Sequence, residues 1–323
     1  MIKWGIIGPG TIANAFAKEV NNTKGGILFS VYGRNIEKTK KFAKKYNIEK
    51  YYNSINEFLN NKDIDAVYIA TPHNYHMEYA KKCIEAKKHI LCEKPFSYNT
   101  KTGKEVLKLA KENNVFIMEA LWTLFLPAVN QAKKWIEENK IGKVKLITAN
   151  FGFKGEYNEN SRLYSPNLAG GALLDVGIYP ILFSNYIADD FPKEIKASAE
   201  FTKSNVDESD IINLKYEDGV LASLTCSIAS DTDNTAVIYG ENGKIVIPSF
   251  WMAKEAYLYS GNITETYIDE YTGTGYKHEI EEANNCILNN ALESEVASHN
   301  FTLELSKIMD EVRRQIGLVY PFE

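Results

Sequence analysis

The sequence predicts an α/β domain with a doubly wound parallel sheet, followed by an α+β domain with a mainly antiparallel sheet. Short apolar runs alternate with helical patterns over about the first 120 residues, as in a parallel sheet covered on both faces. Longer alternating runs begin at Val144, and the pairs Asp218-Gly219 and Asn242-Gly243 mark hairpin turns between them. We therefore expect domains at 1–120 and 121–323.

The first element is a strand that ends in a glycine turn and leads into a helix. The apolar strand Trp4–Ile7 is followed by Gly8-Pro9-Gly10, and apolar residues then recur at helical spacing from Ile12. A G-x-G-x-x-A motif in this place is typical of a dinucleotide site, where the turn and the helix N-terminus bind the pyrophosphate. The motif alone is a weak signal, because short glycine turns are common. The expected cofactor contacts are Gly8, Gly10, Thr11 and Ile12.

The end of the second strand, Ile27–Val31, predicts which dinucleotide is bound. Sheets of this type commonly place an acidic residue there for the ribose hydroxyls of NAD, whereas a nearby arginine accommodates the additional phosphate of NADP. Here Gly33 occupies the acidic position, and Arg34 and Lys38 follow it. We expect NADP to be preferred, with NAD possible. The alternative is that Arg34 only caps a surface loop.

Two further strands end in polar residues that should reach the same edge of the sheet. Thr71-Pro72 follows the strand 65–70, and Glu93-Lys94 follows His89–Cys92. Because ligands of such sheets bind outside the carboxyl ends of the strands, these four residues are candidate cofactor contacts. His76 opens the next helix and is interpreted as a capping or loop residue.

A long apolar helix interrupts the antiparallel pattern of the second domain. It runs through Gly170 to Phe183 and contains Asp175 and Tyr179, which are four residues apart and should share one face. Pro180 predicts a bend at Tyr179. An aspartate in such an apolar setting needs a partner, and a structural capping role stays open.

Composition excludes several classes of protein. Apolar residues make up 45% of the 323 residues, and the net charge of −5 argues against nucleic acid as a partner. We see no signal peptide and no apolar run near the ~18 residues that a membrane span needs, so we expect a cytoplasmic protein without membrane contact. The four cysteines form no C-x-x-C pair and suggest neither disulfides nor a metal site: Cys83, Cys92, Cys226 and Cys286.

Together these motifs resemble the glucose-fructose oxidoreductase and inositol dehydrogenase family. The segments that carry the resemblance are G-P-G-T-I-A at 8–13, A-T-P at 70–72, E-K-P at 93–95 and G-G-A-L-L-D-V-G-I-Y at 170–179. M-E-A-L-W-T at 118–123, S-L-T-C-S-I at 223–228 and the ending at 316–321 are similar to the branch of dihydrodiol and NADP-dependent D-xylose dehydrogenases.

The resemblance implies a Rossmann domain and a second domain whose open-faced sheet forms a homodimer. It identifies Lys94 as the catalytic lysine, Asp175 and Tyr179 as the partners from the second domain, and Trp122 as part of the substrate pocket. Phe153 is expected to supply a second apolar wall.

The chemistry of alcohol oxidation explains these residue types. A carbinol carbon gives up hydride while its hydroxyl loses a proton, so the site needs a base and a positive charge. Tyr179 is the expected acid/base, Lys94 the cation that favours its phenolate form, and Asp175 a group that orients Lys94 or a substrate hydroxyl. The substrate is expected to be a sugar or a cyclic or vicinal diol. The alternative is a catalytically silent NADP sensor of the same fold.

Overall fold

The computed structural model describes all 323 residues, Met1–Glu323, in two compact units. The first unit comprises Met1–Trp122 and Thr272–Leu303, and the second comprises Thr123–Tyr271 and Glu304–Glu323. The chain thus leaves the first unit close to residue 120. The difference from the sequence-based division is that 272–303 returns to the first unit instead of belonging to a continuous second domain.

The first unit contains a six-stranded parallel sheet in the order β3-β2-β1-β4-β5-β6. The strand order reverses between β1 and β4, which is the place where a doubly wound sheet opens a crevice. Its strands are β1 Ile2–Ile7, β2 Gly26–Tyr32, β3 Lys50–Tyr52, β4 Ala66–Ile69, β5 His89–Cys92 and β6 Ile117–Glu119. Its helices are α1 Ala13–Glu19, α2 Ile36–Lys45, α3 Ile55–Asn60, α4 His76–Glu85 and α5 Thr100–Glu112.

The C-terminal segment 272–303 packs on the first unit because its helix supplies buried partners to the sheet. Asn284 lies on that helix and accepts a hydrogen bond from the indole Nε1 of Trp4 at 2.8 Å. Glu19 accepts a bond from the Thr274 backbone N at 2.7 Å. Such contacts over more than 250 residues of chain leave no local signal in the sequence.

The second unit contains an eight-stranded, mainly antiparallel sheet in the order β14-β13-β12-β11-β7-β10-β9-β8, in which β7 and β10 are parallel. The two expected hairpin turns join β9 to β10 and β11 to β12. Its strands are β7 Val144–Gly152, β8 Glu194–Phe201, β9 Asp207–Lys215, β10 Leu221–Ser227, β11 Ala236–Gly240, β12 Gly243–Ile247, β13 Glu255–Ser260 and β14 Ile263–Ile268. The remaining helices of the chain are α6 Pro127–Glu137, α7 Ile178–Ala188, α8 Tyr276–Leu288 and α9 His299–Ile316, and the boundary between the units falls within α9.

One face of the second sheet is covered by α7 and the other is open. Side chains alternate between buried and exposed along β8, β9 and β10. The exposed positions include Ile211, Leu221 and Tyr259, which share the open face by strand register. This is the open-faced sheet that the sequence resemblance implies.

The apolar segment 166–188 corrects the expectation that no run is long enough to span a bilayer. By length and composition alone it qualifies, since it has 23 residues and a mean hydropathy of 1.3. However, 89% of its most apolar window is buried within the fold, as is common for the core helix of a globular unit.

Candidate functional site

The glycine turn after β1 has the backbone geometry that a dinucleotide site needs. Gly8 has φ +93°, and a Cβ at this position would lie 2.9 Å from the carbonyl oxygen of Ala70. A Cβ at Gly10 would have only that oxygen nearby, at 4.0 Å, so the turn is open at Gly10. Thr11 and Ile12 are exposed and precede α1.

The end of β2 cannot carry the acidic side chain typical of an NAD site. Gly33 is buried, and a Cβ there would lie 2.5 Å from Thr39 Oγ1 and 2.7 Å from Pro9 Cδ. The next residue, Arg34, is exposed and holds its guanidinium 5.3 Å from the ring centroid of Tyr75. Lys38 is exposed in the first turn of α2 next to Glu37, so Arg34 is the first charged residue after this strand and no acidic residue stands at position 33.

The turns after β4 and β5 lie at the same edge of the sheet as the glycine turn. Backbone bonds from Ala70 N to Ile7 O (2.9 Å) and from Glu93 N to Ile69 O (3.0 Å) keep the three strand ends in register. Thr71 and Pro72 are half-buried there, and the Thr71 hydroxyl is buried without a hydrogen-bond partner. The Thr71 hydroxyl is therefore available to hydrogen-bond a ligand beside the glycine turn.

Lys94 is half-buried and follows a buried carboxylate that is held in place from the sheet. Glu93 accepts a hydrogen bond from the Tyr68 hydroxyl and another from the backbone N of Lys94 at 3.3 Å. Burial also raises the pKa of the neighbouring Glu119 to about 7. The Oε1 of Glu119 accepts a bond from Phe96 N at 2.6 Å.

His76 differs from its interpretation as a capping or loop residue. It is buried, and its Nδ1 and Nε2 lie 2.9 Å from the carbonyl oxygens of Pro95 and Thr71, respectively. The imidazole therefore connects the turns that carry Thr71 and Lys94. The sequence places His76 at the start of a helix, but the carbonyl group of Pro95 reaches it only through the fold.

In the second unit, Asp175 is buried and paired with Arg162. Nη1 of Arg162 donates to Oδ1 of Asp175 at 2.6 Å, and the Arg162 side chain is 56% exposed. Arg162 lies in an irregular segment with no periodicity, so the sequence analysis missed it. Arg162 is thus one of the partners that the buried Asp175 requires.

Tyr179 is buried among aromatic side chains that the sequence did not point to. The ring of Phe151 lies edge-on at 5.4 Å, and the ring of Trp251 lies at 6.0 Å. Phe151 and Trp251 are themselves stacked at 4.6 Å. The expected wall residue Phe153 is half-buried and directly follows the last residue of β7, whereas Phe151, on the strand, contacts Tyr179.

The helix that carries these residues is irregular before Tyr179, not at it. Leu173–Gly177 forms a π-helical turn, and α7 then continues through Pro180 without interruption. The backbone N of Ile178 bonds to Leu173 O, five residues back. A proline ring clashes with the carbonyl of the residue four before it, and the wider turn accommodates that clash. The irregular turn thus lies at Leu173–Gly177, directly before Tyr179, and the helix is unbroken at Pro180.

The candidate substrate residue Trp122 is buried in the first unit, where its ring lies 4.8 Å from that of Tyr276. Tyr276 begins α8, so this pair also depends on the return of the chain to the first unit. No group of three or more His, Cys, Asp or Glu side chains among the 323 residues is arranged to hold a metal ion.

Two family models cover most of the chain. Residues 2–121 match the oxidoreductase family with an NAD-binding Rossmann fold, and residues 129–246 match the GFO/IDH/MocA C-terminal domain. The chain belongs to the GFO/IDH/MocA family. It is therefore an oxidoreductase with an NAD(P)-binding Rossmann unit, as the sequence motifs predict.

Relatives within the GFO/IDH/MocA family match over almost the full length. The trans-1,2-dihydrobenzene-1,2-diol dehydrogenase of Danio rerio is 33% identical and covers 99% of this chain and 98% of its own. The scyllo-inositol 2-dehydrogenase (NADP(+)) IolU of Bacillus subtilis is 34% identical, with 99% of each chain covered.

A solved structure, the 3-ketoreductase KijD10 from Actinomadura kijaniata with NADP and TDP-benzene, superposes with a TM-score of 0.88. It covers 98% of each chain at 21% identity and so supports the fold.

Proposed function

We propose that this GFO/IDH/MocA oxidoreductase is an NADP-dependent dehydrogenase that oxidises a ring CH–OH group of a cyclic vicinal diol, polyol or sugar. The observation that carries the cofactor choice is the end of β2. Position 33 has no room for a carboxylate, and Arg34 is held over Tyr75 where the additional phosphate would need a cation. The glycine turn and the Thr71 edge fit the remainder of a dinucleotide.

The names of the relatives support the substrate class. One acts on trans-1,2-dihydrobenzene-1,2-diol and the other on scyllo-inositol, and both substrates carry hydroxyl groups on a six-membered carbon ring. The aromatic group of Phe151, Trp251 and Tyr179 suits such a ring, because aromatic faces pack against flat apolar surfaces.

In the proposed reaction, a bound NADP would supply the acceptor for the hydride that the carbinol carbon gives up. Tyr179 takes the hydroxyl proton on its phenolic oxygen, and Lys94 supplies the positive charge that favours the alkoxide and the phenolate. A free tyrosine has a pKa of about 10 and is a poor base near neutrality, which is why the cation is required. Asp175, neutralised by Arg162, orients an adjacent substrate hydroxyl.

The test is NADPH formation with a panel of inositols, cyclic diols and aldoses, for the wild type, Tyr179→Phe and Lys94→Ala. We expect turnover with at least one ring substrate and a loss of about 100-fold or more in kcat for each variant. Absence of turnover, despite tight NADP binding, would instead favour the sensor.

The cofactor preference is tested separately by Arg34→Ala. Its KM should rise about tenfold or more for NADP and little for NAD, since a charge-assisted phosphate contact is lost. Equal increases for the two nucleotides would refute the phosphate role.

We further propose that the open face of the second sheet forms a homodimer. Ile211 and Leu221 are 52% and 48% exposed on that face, and exposed apolar side chains on an open sheet face favour association. Light scattering of the wild type should give a dimer, and Ile211→Asp with Leu221→Asp should give a monomer. A monomeric wild type at micromolar concentration would refute the interface.

A further inference from the structure

Two buried carboxyl groups lie beside the Asp175 helix, and the proposed reaction does not use them. Asp207 begins β9 and Asp210 follows three residues later, with exposures of 0% and 1%. Their partners are backbone N–H groups and a thiol instead of basic side chains. Buried carboxyl groups are costly unless they serve a structural or chemical purpose.

Each carboxyl has a distinct contact. Oδ2 of Asp207 accepts the backbone N–H of Leu173 at 2.5 Å, at the start of the π-helical turn. Oδ2 of Asp210 accepts the Sγ–H of Cys226 at 3.1 Å. The second oxygen of each carboxyl, Oδ1, is buried without a hydrogen-bond partner. Burial raises the pKa of both carboxyls, and the neighbouring Asp207 raises the pKa of Asp210 further, so Asp210 is the more readily protonated of the two.

The glycines of the helix segment leave room for this pair. Gly171 has φ +122°, and a Cβ there would overlap Oδ1 of Asp207. A Cβ at Gly177 would lie 2.8 Å from the Sγ of Cys226. Both glycines therefore allow the helix segment to approach the Asp207–Asp210 pair closely.

The turn held by Asp207 is connected to the proposed reactive residues. Gly171 N donates to Leu163 O at 2.9 Å, and the residue before Leu163 is Arg162, the partner of Asp175. On the other side of the turn, the Tyr320 hydroxyl donates to Gly170 O at 2.8 Å. Displacement of this turn would move both the Arg162–Asp175 pair and the start of the helix that leads to Tyr179.

We propose that Asp207 is a positioning residue: through the turn at 170–173 it holds Asp175 and Tyr179 in the geometry that the dehydrogenase reaction needs. This inference rests on the proposed function. Oδ2 of Asp207 anchors the first turn by accepting the backbone N–H of Leu173, whereas Asp210 accepts from Cys226 and serves as the matched control.

The test compares Asp207→Asn with Asp210→Asn in the full chain. An amide oxygen at 210 still accepts from Cys226, and Asp210 makes no hydrogen bond to the turn at 170–173, so kcat should stay within about threefold of the wild type. An amide at 207 is a weaker acceptor for Leu173 N–H and adds an NH2 group in a fully buried place, so kcat should fall about ten- to 100-fold, as expected when a catalytic group is misplaced. The KM for NADP should change by less than about twofold, since the nucleotide contacts lie in the first unit.

Equal losses in the two Asn variants, an unchanged kcat in Asp207→Asn, or a parallel rise in the KM for NADP would overturn the proposal. If Asp207→Asn does not fold, Tyr320→Phe tests the same turn from its other side. We expect about a threefold or greater loss of kcat at constant KM for NADP, since the Gly170 carbonyl loses its partner. An unchanged kcat would overturn the proposal.

A second measurement is independent of the reaction. Amide hydrogen exchange within 171–179 should accelerate in Asp207→Asn and not in Asp210→Asn. If the wild type turns over no substrate, the proposed function fails while this comparison still tests the anchor. If exchange in 171–179 is the same in both variants and the wild type, the anchor is refuted even when turnover is found.

Discussion

Replacing His76 tests whether one buried imidazole holds the two turns of the proposed cofactor site together. Its nitrogens face two carbonyl oxygens at 2.9 Å each, and a carbonyl can only accept. A neutral imidazole has one N–H and satisfies one of them, so the bond in place is worth about 1 kcal/mol, and an unsatisfied buried carbonyl costs about 1–3 kcal/mol. Because His76→Ala also leaves a cavity, we expect a loss of about 2–4 kcal/mol in the free energy of unfolding.

Asparagine and glutamine at this position separate the two bonds. The amide N of Asn is as many bonds from Cβ as Nδ1 of the imidazole and can donate to Pro95 O, whereas that of Gln corresponds to Nε2 and can donate to Thr71 O. If the Pro95 bond holds the Lys94 turn, His76→Asn should retain more kcat than His76→Gln. Urea unfolding and steady-state kinetics give both quantities.

The contribution of His76 to the free energy of unfolding should decrease at low pH. Burial lowers the pKa of His76 below its ordinary 6.5, so the folded protein prefers the neutral ring. Stability from this residue is complete above pH 6.5 and is lost as the pH falls towards the lowered value, because the unfolded chain takes up the proton first. Burial lowers the pKa of His89 as well, so the difference between wild type and His76→Asn isolates His76. Unfolding free energies for His76→Ala within about 0.5 kcal/mol of the wild type would refute the structural role.

Three further predictions concern other contacts of the site. Arg162→Ala removes one partner of the buried Asp175 carboxylate, and kcat/KM should fall about tenfold while the free energy of unfolding falls by only about 1 kcal/mol, since the Arg162 side chain is 56% exposed. Kinetics with Arg162→Lys as the control would contradict this prediction if all three proteins were alike. Glu119→Gln should stabilise the protein at pH 8 by up to about 3 kcal/mol. The reason is that the pKa of the Glu119 carboxyl is raised to about 7, so its contribution to the free energy of unfolding is lost as the pH rises through that value. An equal effect of the substitution at pH 4 and pH 8 in urea titrations would exclude this explanation. Gly33→Ala should lower the free energy of unfolding by about 1–3 kcal/mol and weaken the binding of NADP and NAD alike, because the added Cβ collides with Pro9 and Thr39. A loss of affinity for NADP alone in nucleotide titrations would contradict the steric argument.

Much of the fold could be predicted because its signals are local. The alternating pattern of strands and helices up to residue 119, the glycine turn at Gly8 and the two hairpins each depend on residues close in sequence. The strands β13 and β14 were missed, and the return of α8 to the first unit gave no local sign, because it depends on contacts such as that between Trp4 and Asn284.

The candidate site likewise has features that the sequence predicts and features that it does not. The residue types at Lys94, Asp175 and Tyr179 are readable from motifs, since the chemistry of alcohol oxidation requires a cation and a base in characteristic sequence contexts. The side chains that contact these residues cannot be predicted from the sequence. Arg162 is a partner of Asp175 and Phe151 packs on Tyr179, and no local pattern in the sequence indicates either contact.

By itself the sequence determined most of the order of strands and helices, the family and the chemical kind of the candidate residues, because backbone preferences, hydrophobic periodicity and short motifs act over a few residues. Only the tertiary structure decided that Gly33 has no room for a side chain, that His76 connects two turns and that Asp207 anchors the Asp175 helix. These features are contacts between segments that are distant along the chain. Steric exclusion, burial and hydrogen-bond partnership of that kind arise only when the segments are packed together.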